Sequence, residues 1–112
     1  MAVALAEKAF AKGVGARVNL ASDELPTEFV LFGEDASRIL LSCDPESMAR
    51  IQQLAEKYGI AAEAIGETIP ERLEISLDER AVISASVGDL RAAYEGALEL
   101  ALRADSELVT AE

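Results

Sequence analysis

The chain has 112 residues, of which 51% are apolar, and a formal net charge of −11. This length and apolar content predict one domain with a core of its own. Nucleic acids and anionic membranes are excluded as partners, because both attract a basic surface, and the acidity indicates a soluble cytoplasmic protein.

Two features of the composition limit the chemistry. The sequence has no histidine, which excludes Ser-His-Asp and Cys-His catalysis and every zinc site that uses histidine. Its one cysteine, Cys43, cannot form an intramolecular disulfide, so nothing indicates an oxidising compartment. No apolar run approaches the roughly 18 residues of a membrane span.

The first predicted element is a helix over residues 2–12 that is apolar around much of its circumference. Gly13 fits a left-handed cap at its end. No residue of the kind that normally caps a helix precedes it. We therefore expect an interior element cut from a longer protein, with Met1 added, and a free apolar patch around Val3, Leu5 and Phe10.

The next residues predict two strands separated by a helical turn. A short strand is expected at 17–20, a helical turn at 26–32 that Gly33 ends, and a buried strand at 38–43. Cys43 at the end of that strand is expected to be a small buried residue rather than a reactive thiol.

Asp44 and Pro45 then predict the start of a helix. Asp44 is the expected cap, and Pro45 takes the first helical position, where its missing N–H costs nothing. Gly59 ends this helix. Its predicted apolar stripe consists of Met48, Ile51, Leu54, Ala55 and Tyr58.

The last third of the chain predicts three strands and a helix. The strands are expected at 61–67, 73–77 and 81–85, the second with strict alternation of apolar and polar residues. Ser86 and Asp89 form a candidate capping box for a helix that runs to about Arg103.

These elements predict an α+β fold with a ferredoxin-like sheet, in which a split β-α-β unit begins at residue 38. We expect one domain over residues 1–104 and a disordered tail over residues 105–112.

The turn at Gly33 and Glu34 is the best candidate site. One interpretation is an acidic turn at the mouth of a ligand cleft. The other is a helix end, with Gly33 at positive φ and the acids solvated. Acidic residues near this turn, which include Glu24, Glu28 and Asp35, also have the donor type for magnesium, but in so acidic a chain a solvated face is the better interpretation. We predict no catalytic residue and no metal ligand.

Four segments, taken in order, resemble one known family. They are Ala2–Glu7, Phe32-Gly33-Glu34-Asp35 with Ser37-Arg38, Ile65-Gly66-Glu67, and Ser86–Tyr94. Their order and spacing, over roughly residues 2–100, resemble the last domain of phosphoribosylformylglycinamidine synthases, within the superfamily of aminoimidazole ribonucleotide (AIR) synthase-related C-terminal domains.

The resemblance implies a ligase of purine biosynthesis. Such an enzyme uses ATP and magnesium to convert formylglycinamide ribonucleotide to the amidine, with ammonia from glutamine. The family's Asp-x-Ser motif is absent here, so no catalytic residue carries over and the chain alone is expected to be inactive. Gly33 and Glu34 match a family motif and remain weak candidates for substrate binding.

The partners that the resemblance implies are the amino-terminal domains of the same enzyme and a glutaminase subunit or domain. A homodimer through helix 2–12 is a further expectation. Two alternatives stay open: a small ferredoxin-like ligand-binding or regulatory module, and the same domain from another member of the superfamily.

Overall fold

The computed structural model describes the backbone of residues 1–110 and the side chains of residues 1–104. A 3₁₀ turn at Pro45–Ser47 leads directly into the third helix. The helices of the described chain are α1 (Ala2–Phe10), α2 (Thr27–Phe32), α3 (Met48–Lys57) and α4 (Val87–Thr110).

The strands form one mixed sheet in the order β2-β1-β3-β4. β1 pairs antiparallel with β2 and parallel with β3, and β3 pairs antiparallel with β4. Helices and a mixed sheet confirm the predicted α+β fold. The strands are β1 (Val14–Leu20), β2 (Gly66–Pro70), β3 (Arg72–Leu77) and β4 (Arg80–Ser86).

The core lies between one face of the sheet and the helices that cover it. The predicted alternation in β3 is confirmed, because Leu73, Ile75 and Leu77 are 2%, 0% and 4% exposed. They cluster with Leu5 of α1 and Leu31 of α2. Period-two alternation thus placed the most buried strand correctly, since only one of its faces contacts helices.

The other face of the sheet is polar. The Arg17 Nε donates to Glu74 Oε2 at 2.8 Å, and the Arg17 Nη1 lies 3.4 Å from Glu67 Oε1. This hydrogen bond from Arg17 is the main reason that the pKa of Glu74 is lowered. Because the side chains are largely exposed, the pairs add little stability. They tie the central strand β1 to both of its neighbours.

Two strand predictions are wrong. Residues 38–43 form no strand, and in this segment Ile39 is 91% exposed and Cys43 is exposed as well. The strand expected at 61–67 begins only at Gly66. An apolar run has the composition of a buried strand, but pairing and cover come from distant residues. The first strand of the parallel pair is therefore β1 and not the segment that begins at residue 38.

The predicted helix after Asp44 is confirmed, but its cap is not. Pro45 occupies the first turn, whereas the Asp44 side chain makes no capping hydrogen bond. Gly59 has a φ of +68°, as expected for a helix end. No residue of α3 is fully buried. Met48, Ile51 and Ala55 of the stripe are half-buried, and Leu54 and Tyr58 are exposed.

The capping box of α4 is confirmed at the hydroxyl of Ser86, which accepts a hydrogen bond of 3.0 Å from the backbone N–H of Asp89. The helix is longer than predicted, since its backbone continues past Arg103 to Thr110. The predicted tail covers residues 105–112. The side chains of residues 105–110 and all of residues 111–112 lie outside the described part of the chain. The domain end at residue 104 stays a prediction.

The molecule is elongated, and one long segment of it forms no part of the sheet. Its dimensions are 64 × 31 × 27 Å and its radius of gyration is 17.8 Å, against about 13 Å for a compact domain of this length. Residues 33–64, termed the arm, contain no buried residue. The arm begins two residues after buried Leu31. Ile65 follows its last residue, and the Ile65 carbonyl oxygen accepts from the Asn19 N–H at 2.9 Å.

Candidate functional site

The carboxyl ends of the parallel strands β1 and β3 meet at one edge of the sheet, where ligands commonly bind in open sheets. The backbone N–H of Asp78 donates to the Leu20 carbonyl oxygen at 2.9 Å. The Ser22 N–H donates to Asp78 Oδ1 at 3.1 Å, and the Ser22 hydroxyl donates to Asp78 Oδ2. These bonds join the turns that follow the two strands.

The pKa of Asp78 is lowered at this edge. The hydrogen bond from the Ser22 hydroxyl is the largest cause, followed by the one from the Ser22 N–H, and Arg80 contributes a smaller Coulombic attraction. A second turn contact comes from Asn19, whose Oδ1 accepts from the Glu79 N–H at 2.9 Å. The carboxylate of Asp78 is thus held ionised for structure, with its hydrogen bonds made inside the chain.

Two shallow clefts flank these turns. The first has a volume of about 380 Å³ and is lined by Asn19, Leu20, Ala21, Glu63, Asp78 and Glu79. The second has about 460 Å³ and is lined by Ser22, Leu25, Pro26, Thr27, Leu77, Asp78 and Arg80. Small-molecule sites are enclosed, largely apolar and carry a few converging polar groups. Neither cleft has that character, and no polar side chain is buried within the described residues.

Gly33 ends α2 as predicted, but for a different reason. Its N–H donates to the Phe29 carbonyl oxygen at 2.9 Å, and its φ is −62°. The positive φ expected at Gly33 is therefore wrong. Ser37, four residues later, has a φ of +66°. Glycine is required sterically, because a Cβ at position 33 would lie 2.3 Å from the Phe29 carbonyl oxygen.

Gly33 and Glu34 are exposed and line neither cleft. The adjacent Asp35 forms an exposed ion pair with Arg38 at 3.0 Å. Within the described part of the chain, no three acidic or cysteine side chains are grouped closely enough to hold a metal ion. The geometry favours the solvated turn, and substrate binding by Gly33 and Glu34 stays a prediction.

An apolar surface lies immediately before this turn. Phe29 and Phe32 are one helical turn apart on α2 and are 62% and 59% exposed, while Leu31 is buried on the opposite side. Leu25, at the rim of the second cleft, is 56% exposed. We term Leu25, Phe29 and Phe32 the α2 patch. The sequence analysis missed it, although the spacing of the two phenylalanines around Leu31 was a usable signal.

The patch expected on the first helix does not form as predicted. Leu5 is only 7% exposed and belongs to the core, and the Phe10 ring packs against Tyr94 with centroids 5.5 Å apart. Val3 remains 51% exposed. The prediction failed for Leu5 because α1 packs on its own sheet, so a homodimer through helix 2–12 would have to form without that side chain.

Most other exposed large apolar side chains lie in the arm and on α4. They include Ile39, Leu41, Leu54, Tyr58 and Ile60 in the arm, and Tyr94, Leu98, Leu100 and Leu102 on α4. Among the helices described, none combines the length and the apolar character that crossing a membrane requires. Exposure on this scale indicates surfaces made for contact with other polypeptide.

Comparison with known proteins identifies relatives over most of the chain. It is 42% identical over 90 residues to the phosphoribosylformylglycinamidine synthase subunit PurL of Moorella thermoacetica, which is 80% of this chain and 12% of the relative. The PurL subunit of Alkaliphilus metalliredigens is 35% identical over 99 residues, 88% of this chain and 13% of the relative. The chain therefore spans only about an eighth of the length of these curated relatives.

A family model matches residues 1–78, which cover α1, the parallel pair β1 and β3, and most of the residues that line the clefts at their carboxyl ends. The model is described as the C-terminal domain of AIR synthase related proteins, the superfamily that the four sequence segments resemble. The chain belongs to the family of AIR synthase related protein C-terminal domains.

Proposed function

We propose that this chain is the carboxy-terminal domain of a PurL-type phosphoribosylformylglycinamidine synthase of the cytoplasm. The observation that carries the proposal is the identity of 35 to 42% with PurL subunits over 80 to 88% of the chain. The whole enzyme would use ATP and magnesium to convert formylglycinamide ribonucleotide to the amidine, with ammonia supplied from glutamine by a glutaminase subunit or domain.

This chain would contribute structure to that reaction and not reacting groups. It has no histidine, and its described residues offer no metal-binding group. Magnesium and ATP would be bound by the other domains of the ligase. The isolated chain should have no ligase activity.

The α2 patch is the surface through which the domain would dock on its amino-terminal neighbours. Phe29 and Phe32 are more than half exposed on a short helix whose other side is fixed in the core by Leu31. A rigid pair of aromatic side chains is a suitable anchor for an interface. Burial of each ring would contribute about 1.5–3 kcal/mol to docking.

A chimera tests the proposal. The matching carboxy-terminal segment of the Moorella thermoacetica PurL subunit is replaced by this chain, and amidine formation is measured with ammonium as the nitrogen source. We expect an active ligase, whereas the same subunit without the segment should be inactive. In the chimera, Phe29→Ser with Phe32→Ser should reduce activity at least tenfold, since about 1.4 kcal/mol of lost docking already corresponds to tenfold.

The control is Leu100→Ser, which removes an apolar side chain of similar exposure, 67%, from another surface. It should leave the chimera active. An inactive chimera that retains the circular dichroism of a folded protein would contradict the proposal. Saturable binding of an amino acid or nucleotide by the chain alone, found in addition by calorimetry, would favour the small ligand-binding module.

A further inference from the structure

Helices α3 and α4 each carry an apolar stripe with large side chains that the described chain leaves exposed. Leu54 of α3 and Tyr58, the residue directly after this helix, are 48% and 70% exposed. On α4, Leu98 and Leu102 are 70% and 61% exposed. The two exposed side chains are about one helical turn apart in each stripe, so the two exposed pairs match in length. Amphipathic helices gain stability mainly by packing such a stripe against another surface.

The charges beside the two stripes are opposite. At 100° per residue, Arg50 and Lys57 follow one flank of the α3 stripe, and Glu95 and Glu99 follow one flank of the α4 stripe. When the two helices run in the same direction, these flanks fall on the same side of the contact. Glu95 and Glu99 form pairs along their own helix with Arg91 and Arg103. Such exposed pairs are weak and can exchange partners at small cost.

We propose that two copies of this chain associate through their helices, with α3 of each protomer packed in parallel against α4 of the other. Each molecule carries both complementary stripes, so a two-fold arrangement covers all four of them and closes on itself. This surface differs from helix 2–12, the one expected from the sequence, because Leu5 of that helix is committed to the core. It is also separate from the α2 patch.

The test is the molar mass of the whole chain in solution, measured by sedimentation over about a hundredfold dilution series. The buffer holds about 0.15 M salt, which screens the repulsion between two acidic molecules beyond roughly 8 Å. We expect the mass to rise toward that of a dimer with concentration. Leu54→Glu and Leu98→Glu should each leave a monomer, because each removes both contacts of the symmetric pair.

Matched controls lie on the opposite faces of the same helices. Leu100 is 200° from Leu98 around α4 and is similarly exposed at 67%, so Leu100→Glu should still give dimers. Gln52 is likewise 200° from Leu54 around α3 and is exposed, so Gln52→Glu plays the same part there. Both stripe variants should retain the helical circular dichroism of the parent chain, since the replaced side chains are exposed.

A mixture of the two stripe variants distinguishes this pairing from any other. Leu54→Glu keeps an intact α4 and Leu98→Glu keeps an intact α3, so together they can form one of the two contacts and recover part of the dimer. If a variant loses its helical signal, the charge pair Lys57→Glu and Glu99→Lys replaces it, and association should weaken for each alone and return in the mixture. The proposal would be overturned by a parent chain that is monomeric, by a dimer that both stripe substitutions leave intact, or by a mixture of the two variants that recovers no dimer. None of these results bears on the activity of the chimera.

Discussion

The carbonyl oxygen of Arg17 in β1 lies 2.0 Å from the place where a Cβ on Gly66 of β2 would stand. Gly66 is paired with Val18 in the antiparallel ladder, and the next residue, Glu67, is paired with Arg17 and forms an ion pair with it. The glycine of the Ile-Gly-Glu segment is therefore needed for the close approach of two backbones, at the start of the strand.

Gly66→Ala should destabilise the protein by about 1–3 kcal/mol, because the new methyl group meets backbone that cannot move aside as a side chain can. Chemical denaturation measures the change. Gly96→Ala is the control, since a Cβ there has no atom within 4 Å and the position is inside α4. That change should be neutral or stabilising by up to about 1 kcal/mol. Equal effects of the two substitutions would contradict the steric argument.

Two isoleucines that were both expected in buried strands should respond differently to truncation. Ile75→Ala removes a side chain that is 0% exposed and should lower the free energy of unfolding by about 2–5 kcal/mol. Ile39→Ala removes one that is 91% exposed and should change it by less than about 0.5 kcal/mol. Urea denaturation of the monomeric protein measures both changes in the free energy of unfolding. A large loss for Ile39→Ala would show that residues 38–43 are buried after all.

Ser86→Ala should cost about 1 kcal/mol, because it removes the hydroxyl that satisfies the Asp89 N–H at the start of α4. The loss is measured as a lower midpoint of thermal unfolding and as less helix by circular dichroism. Ser86→Thr keeps a capping hydroxyl and should recover most of the stability. If Ser86→Ala left the midpoint and the helix content unchanged, the cap would be unimportant for this helix.

Stability should fall in acid through the Asp78 carboxylate. Its pKa is lowered in the folded state by the hydrogen bond from Ser22, so the unfolded chain takes up the proton first. The stabilisation is complete above the ordinary Asp pKa of about 3.9 and is lost as the pH falls from there through the lowered value. Carbon-detected NMR titration of Asp78 should show a rise toward the ordinary pKa in Ser22→Ala. An unchanged titration in that variant would contradict the assigned cause.

Local patterns predicted the elements whose cause is local. Ser86 and Asp89 predicted the start of a helix, because the hydrogen bonds of a cap are made within four residues. The alternation from Leu73 to Leu77 predicted a strand with one wet face, and the wet face is the one that carries the Arg17 and Glu74 pair. Gly33 ends its helix as predicted. Glycine is needed there because a Cβ would clash with the Phe29 carbonyl oxygen, and that clash is visible only in the structure.

The same rules failed where the outcome depended on distant partners. The segment at 38–43 is apolar and was expected to pair, yet it pairs with no strand of the described sheet. Leu41 is 66% exposed, and only Leu40 packs against the core. The stripe of α3 was recognised, but whether it is covered cannot be read from its spacing. Conversely, Leu5 was expected on a free surface and is buried by the chain's own sheet.

The sequence by itself determined the α+β class, the one-sided β3 and the cap of α4, because these follow from periodicity and from short-range hydrogen bonds. It also determined the family resemblance, which rests on the order and spacing of four segments. Only the tertiary structure decided that β1 and β3 run in parallel side by side, that the arm leaves the sheet, and which apolar faces stay open. Those features depend on strand pairing and helix packing between residues far apart in the chain, and the free energy of such contacts is not encoded in any single segment.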